Sequence, residues 1–184
     1  MADSKLSPIC SPSELISILK FPTGRYEFPE DPYNEVYENI LLGNGETAFN
    51  RPLLRRLNVT HVVNAACGTD PELNLIDTSA EFYKDVNIDF YGIYALDMSS
   101  FPLHQFFNPV AEYIHDALQS GGRVFVHCRQ GISRSATLVL AYLMIKKNMT
   151  AQEATRLVRS RREITPNEGF LYQICDLNER LHSK

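Results

Sequence analysis

Residues 127–135 read His-Cys-Arg-Gln-Gly-Ile-Ser-Arg-Ser, types and spacings that point to thiol chemistry directed at an anion. Cys128 heads the run and Arg134 follows six positions later. An apolar β run precedes it and a nearly all-apolar helical stretch follows, so the segment is a strand-to-helix loop. Such a loop turns consecutive backbone N–H groups inward, and the helix N-terminus adds partial positive charge, which together suit a dianion. Gly131 permits the tight path. Facing those N–H groups and the Arg134 guanidinium, Cys128 is favoured as thiolate over thiol. Arg134 can return across the loop and bind two oxygens in fork geometry, a task for which Lys, a point charge, is a poor substitute. The chemistry that fits is attack by sulfur on a phosphoryl group, whose loose transition state spreads charge over three equatorial oxygens. Arg129, Gln130, Gly131, Ile132 and Ser133 then line the anion, with His127 beside them. His127 reads as a hydrogen-bonded residue that orients the loop, since a thiolate needs no general base. Ser135 has two readings, a hydroxyl that bonds the sulfur and helps it leave in a second step, or an ordinary helix-start serine. No set of carboxylates and imidazoles accompanies the loop, so no metal is implied.

The bulk numbers place this loop in an ordinary domain. At 184 residues, 44% hydrophobic and 22% charged, the chain suits one globular unit with a sizeable core. Residues 1–5 lack the basic patch and apolar stretch of a signal peptide, and the longest nearly apolar run, 136–145, is too short to cross a bilayer, so no membrane segment is expected. Cys10, Cys67, Cys128 and Cys175 lie far apart, so neither a disulfide framework nor a zinc site is expected, and a reducing compartment, cytoplasmic and also nuclear, fits best. The net charge of −4 is unevenly spread: residues 123–162 carry nine basic residues against one acid, Glu153, or +8, which leaves −12 on the rest. An acidic body with one basic segment suits a discrete anionic ligand and not a nucleic-acid polyanion. The plain alternative is a solvated basic helix face.

The remaining elements must hold the loop. Residues 11–19 read as a helix with a Ser11/Glu14 capping box and Pro12 at its first position, and 21–37 as an irregular connection. A short strand at 40–42, a helix at 52–57, a strand at 60–66 interrupted by Asn64, and a strand at 89–96 follow. Between 103 and 120 apolar residues recur at helical spacing, with Asn108 as cap and Pro109 after it. A β run at 124–126 leads into the loop, and the helix behind it, running to about Ile145, must be buried on most sides. Thr150 and Glu153 box a helix ending near Arg162, and Phe170, Leu171, Ile174, Leu177 and Leu181 form the stripe of a last one. The order suggests an α/β fold with a small central sheet covered by helices on both faces.

HCRQGISRS resembles the signature of cysteine-dependent protein phosphatases, in the form found in dual-specificity phosphatases. THVVNAACG, SATLVLAYLMIKKNMTAQEA and RREITPNEGFLYQICDLNERL also resemble the small atypical members of the VHR type, from about Val36 to the C-terminus. The resemblance implies a mixed central sheet flanked by helices, a catalytic domain over 36–184, and an N-terminal helix and irregular extension over 1–35. It implies hydrolysis of phosphotyrosine and phosphoserine or phosphothreonine through a cysteinyl-phosphate, with no cofactor and with phosphorylated proteins, MAP kinases among them, as partners. It further implies a general acid on the loop after the strand ending near Leu96, where Asp97 stands; by the residues alone Asp97 is an acid at a strand end. Arg162 matches the position of an arginine that forms a second anion pocket; its alternatives are a solvated charge or a pair with Glu163. The sequence departs from the VHR type at Gln130 and Ile132, where that type carries an acid and a tyrosine. Cys67 is either a redox partner for Cys128 or a plain buried cysteine. Two other functions compete: a scaffold that holds phosphoproteins without turnover, and a phosphatase acting on phosphoinositides or RNA 5′-triphosphates, which the one arginine and no lysine of 129–133 disfavour.

Overall fold

Parallel strands need crossovers, and the chain supplies helices to make them. The computed structural model describes residues 9–183, so residues 1–5 lie outside the described part. In chain order the elements are α1 (Pro12–Lys20), β1 (Tyr33–Tyr37), β2 (Ile40–Gly43), α2 (Gly45–Phe49), α3 (Arg51–Arg56), β3 (His61–Asn64), α4 (Ala80–Tyr83), β4 (Asp89–Gly92), α5 (Phe107–Gln119), β5 (Val124–His127), α6 (Arg134–Lys147), α7 (Ala151–Arg161) and α8 (Glu168–His182). The strands form one five-stranded sheet in the order β1-β2-β5-β3-β4. β1 is antiparallel to β2 and the other pairs are parallel, which makes the sheet mixed.

Side-chain alternation along the strands sorts the layers. Leu41, Val62 and Phe125 join Ala48, Leu54 and Tyr83 from α2, α3 and α4 in a smaller core. Ile40, Leu42, Val63, Val124 and Val126 join the larger core built with α1, α5, α6, α7 and α8. The sheet is thus covered on both faces. Residues 134–144 of α6 are all buried, as a helix apolar all round requires, and Asn148, in the left-handed region at φ 54°, ends it. Gly43, His127, Asn64 and Gly92 lie side by side in register at the carboxyl ends of four parallel strands, the edge at which open α/β sheets bind ligands.

Several elements differ from expectation. The irregular connection expected through residue 37 ends in β1, whose fully buried side chain is Val36. α2 and α4 are too short for a helical period to show. The strand expected over 60–66 stops at Asn64, because that buried side chain accepts the Ala66 N–H (2.8 Å) and donates to the Ile76 carbonyl and Thr78 hydroxyl (both 2.9 Å). These bonds turn the chain out of the sheet. The strand expected over 89–96 stops at Gly92. Asn108 is not a cap: a 3₁₀ turn at Leu103–Phe106 runs into α5, and Pro109 sits in the first turn, where a missing N–H costs least. Ser11 caps α1, but the Glu14 carboxylate accepts from Gln152 (3.0 Å) and does not complete the box; the Thr150/Glu153 box is complete.

The expectation of no disulfide is overturned. α1 packs on α7 and α8, with Leu15 and Leu19 inside the larger core, and this brings Cys10 against Cys175 as a disulfide spanning 165 residues. At that separation no local spacing exists to be read. No helix among the described residues is long and apolar enough to cross a membrane.

Candidate active site

β5 delivers Cys128 to the carboxyl edge of the sheet, and α6 begins six residues later. The six carbonyls of residues 128–133 are each met from outside the loop they form. His127 Nδ1 meets that of Cys128 (3.1 Å), the Gly45 N–H that of Arg129 (3.0 Å), and Arg162 those of Gln130 (3.1 Å) and Gly131 (2.9 Å). The Thr165 N–H takes that of Ile132 (2.8 Å) and the Thr137 N–H that of Ser133 (2.9 Å). With its oxygens held outward, the loop turns its N–H edges inward, and those of Gly131 and Ser135 reach the Cys128 sulfur. Gly131 makes the turn at φ +70°, and a Cβ there would overlap the Gly43 carbonyl.

Cys128 is 2% exposed. Burial alone would push its thiol up, but the Arg134 charge, the Ser135 hydroxyl (3.1 Å from Sγ), and the N–H groups of Ser135 and Gly131 outweigh it and hold the thiol below its ordinary value. His127 is fully buried, and burial pushes its pKa down to about 4, against its bond to the Cys128 carbonyl and with the Arg134 charge adding to the fall. At neutral pH its ring is therefore uncharged and Nδ1 carries the proton donated to that carbonyl. A neutral ring beside the loop holds shape; it is no base.

Arg134 is buried as well. One N–H from Nη1 goes to the Ala95 carbonyl (2.9 Å) and one from Nη2 to the Asn74 carbonyl (3.0 Å), while Nε has no partner among the described residues. Arg134, Cys128, Asp97 and Asn74 line one cavity of about 270 Å³ together with the loop. Asp97 stands at its exposed rim, and its Oδ1 accepts from the Ser133 hydroxyl (2.7 Å) and the Asn167 side-chain amide (2.8 Å).

The model of the dual specificity phosphatase catalytic domain matches residues 40–180. Human dual specificity protein phosphatase 13B is 48% identical over 149 residues, 80% of this chain and 73% of that protein, and its mouse counterpart 47% over the same length. The chain belongs to the dual specificity phosphatase family. The crystal structure of human DUSP28 shares its fold, with a TM-score of 0.71 at 25% identity over 85% of this chain and 100% of that one. The chain is thus a protein phosphatase.

Within this dual specificity phosphatase the expected residues Cys128, Arg134, Asp97, Ser135 and 129–133 converge on one cavity or its immediate wall. Arg162 lines, with Arg129, a hollow beside this cavity, but most of its donors are turned to the protein itself. It is 3% exposed, and beyond the two loop carbonyls it donates to the Asp31 carbonyl (2.9 Å) and Asn34 Oδ1 (2.8 Å). Burial lowers its pKa to about 10, with Cys128 and Asp31 pulling it back up, so it stays charged. Nor does it pair with Glu163, which bonds Arg159 (2.7 Å). Cys67 donates to the Thr78 carbonyl (3.6 Å), and burial, then the Asp77 charge, push its thiol up, the wrong direction for a reactive partner. Sequence reading missed Asn74, Ala95, Thr165 and Asn167. The first three act through backbone groups, which leave no side-chain signal; Asn167 is legible as the N-cap of α8, but its bond to Asp97 is a tertiary contact.

Proposed function

We propose that this phosphatase hydrolyses phosphotyrosine and phosphoserine or phosphothreonine monoesters of proteins through a cysteinyl-phosphate on Cys128. One observation carries the reading: a buried thiol favoured as thiolate shares a cavity with a buried guanidinium whose Nε–H has no partner among the described residues. An unpaired buried donor is costly, and an oxyanion that satisfies it also presents phosphorus to the sulfur. In the first step the S–P bond forms while the ester P–O bond breaks, and Asp97 gives its proton to the departing oxygen. In the second, the Asp97 carboxylate takes a proton from water as the water oxygen attacks phosphorus, and the sulfur leaves with the Ser135 hydroxyl bonded to it. The loop N–H groups and Arg134 stay where the equatorial charge lies throughout.

The cavity is bounded by the loop, Asn74 and Asp97, and so few walls suit alkyl as well as aryl phosphates. Next to it lies a hollow of about 590 Å³ lined by Glu30, Asp31 and Glu46 together with Arg129 and Arg162; three acids against two arginines make it a poor seat for a polyanion, which counts against phosphoinositide and RNA 5′-triphosphate substrates. MAP kinases fall within the proposed class, and Arg162, though it lines the neighbouring hollow, already spends four N–H donors inside the protein and has little left for their second phosphate.

Incubation with p-nitrophenyl phosphate and with phosphotyrosyl and phosphothreonyl peptides tests the reading. Product from both peptides, a phosphoenzyme trapped by rapid quench, and loss of both in Cys128→Ser with peptide binding retained are the expected results. Binding without product in the native protein would make it a scaffold.

A further inference from the structure

The acid loop is held by the last helix. Asn167 donates from Nδ2 to Asp97 Oδ1 (2.8 Å). Gln173 donates to the Phe101 carbonyl (2.9 Å) and accepts the His104 N–H (2.7 Å). Between them Gly169 lies so close to Ser99 that a Cβ would overlap its carbonyl. The catalytic loop joins the same contact, since the Ser133 hydroxyl accepts the Asn167 backbone N–H (3.1 Å) and gives its own proton to Asp97 Oδ1 (2.7 Å). Helix, acid and phosphate-binding loop therefore meet at one carboxylate oxygen.

That convergence has a chemical consequence. Two donors on Oδ1 occupy its in-plane lone pairs, so a proton taken up by Asp97 belongs on Oδ2. We propose that Asn167 is a positioning residue for the general acid: with Ser133 it fixes the rotation of the Asp97 carboxyl and leaves Oδ2 as the oxygen that carries the proton to the leaving group. As the S–P bond forms and the P–O bond breaks, the Oδ2 proton passes to the ester oxygen. Without the amide the carboxyl rotates, and the proton is out of line for part of the time. The inference rests on Asp97 being the acid.

Asn167 also caps α8, its Oδ1 accepting the Phe170 N–H (2.9 Å), so a test must keep the cap. Asn167→Ser does, because serine is an equivalent N-cap but has no amide donor. Its kcat/KM, which does not include the later water step, should fall on the order of 10-fold on phenyl phosphate, whose poor leaving group needs the proton, and stay within about two-fold on 2,4-dinitrophenyl phosphate, which needs none. In an Asp97→Asn background, Asn167→Ser should change neither rate. Equal losses on both esters, a further loss in that background, or an unchanged rate on phenyl phosphate while Asp97→Asn lowers it would each overturn the positioning role. If Asp97→Asn itself leaves phenyl phosphate turnover intact, the acid assignment is what fails.

Discussion

A thiol among apolar strands ordinarily resists ionisation, and at Cys128 burial does oppose it. What reverses the balance is a small set of donors aimed at one sulfur: Arg134, the Ser135 hydroxyl, and two backbone N–H groups. Because activity needs the thiolate, kcat/KM should rise with pH as Cys128 ionises, with its acid limb below the ordinary thiol range. Ser135→Ala removes a donor that favours the thiolate, so its limb should move to higher pH; a profile on p-nitrophenyl phosphate in both proteins reads the shift, and an unmoved limb would leave Ser135 without that role. Arg162 is a different kind of charge. Each of its nitrogens is spent on the outside of the loop or on residues 31–34. Arg162→Ala should therefore lower turnover of singly and doubly phosphorylated peptides by the same factor, and lower unfolding stability by roughly 2 kcal/mol or more as charge-assisted bonds are lost. A selective loss on the doubly phosphorylated peptide would restore the anion-pocket role.

At the scale of elements, the site is an edge of the sheet. β2 supplies the Gly43 carbonyl and leads to the Gly45 N–H that pack against the loop, β5 supplies the cysteine, β3 leads into the Asn74 segment, and β4 leads to Ala95 and Asp97. The close approach of the β2 end to the loop allows no side chain at residue 131. Gly131→Ala combines an unfavourable positive φ, about 1–2 kcal/mol, with that overlap, and should shift the loop far enough to cut kcat/KM on the order of 10²-fold while the protein still unfolds cooperatively in a denaturant titration. Activity near that of the native protein would mean that the loop has slack the structure does not show.

The whole molecule closes through its N-terminal helix. Leu15 and Leu19 enter the larger core, Arg159 of α7 donates to the Leu19 carbonyl (3.0 Å), and Cys10 is bonded to Cys175 on α8. The catalytic family match begins at residue 40, yet the core continues into α1. Constraining the unfolded chain across so long a loop stabilises by roughly 2–4 kcal/mol. Urea unfolding should accordingly show a lower midpoint for Cys175→Ser than for the oxidised native protein, and the variant's midpoint should not respond to reductant. Equal midpoints would show that the packing of α1 needs no covalent tie.

How much of this could be read without coordinates depends on how local each cause is. The sequence alone determined the strand-loop-helix with Cys128 and Arg134, the buried α6, the Thr150 box and the apolar stripe of α8 from Phe170 to Leu177, because each rests on period or spacing within a few residues; Leu181, expected to extend that stripe, lies exposed. Asp97 was located only by resemblance, since an acid at a strand end has no local signature of function. Tertiary structure alone decided the rest: the inward turn of Arg162, the bond from Asn167 to Asp97, the carbonyls of Asn74 and Ala95 that hold Arg134, and the pairing of Cys10 with Cys175. Their partners lie tens of residues away or are backbone groups common to every residue, and neither distance nor a carbonyl is written in side-chain letters.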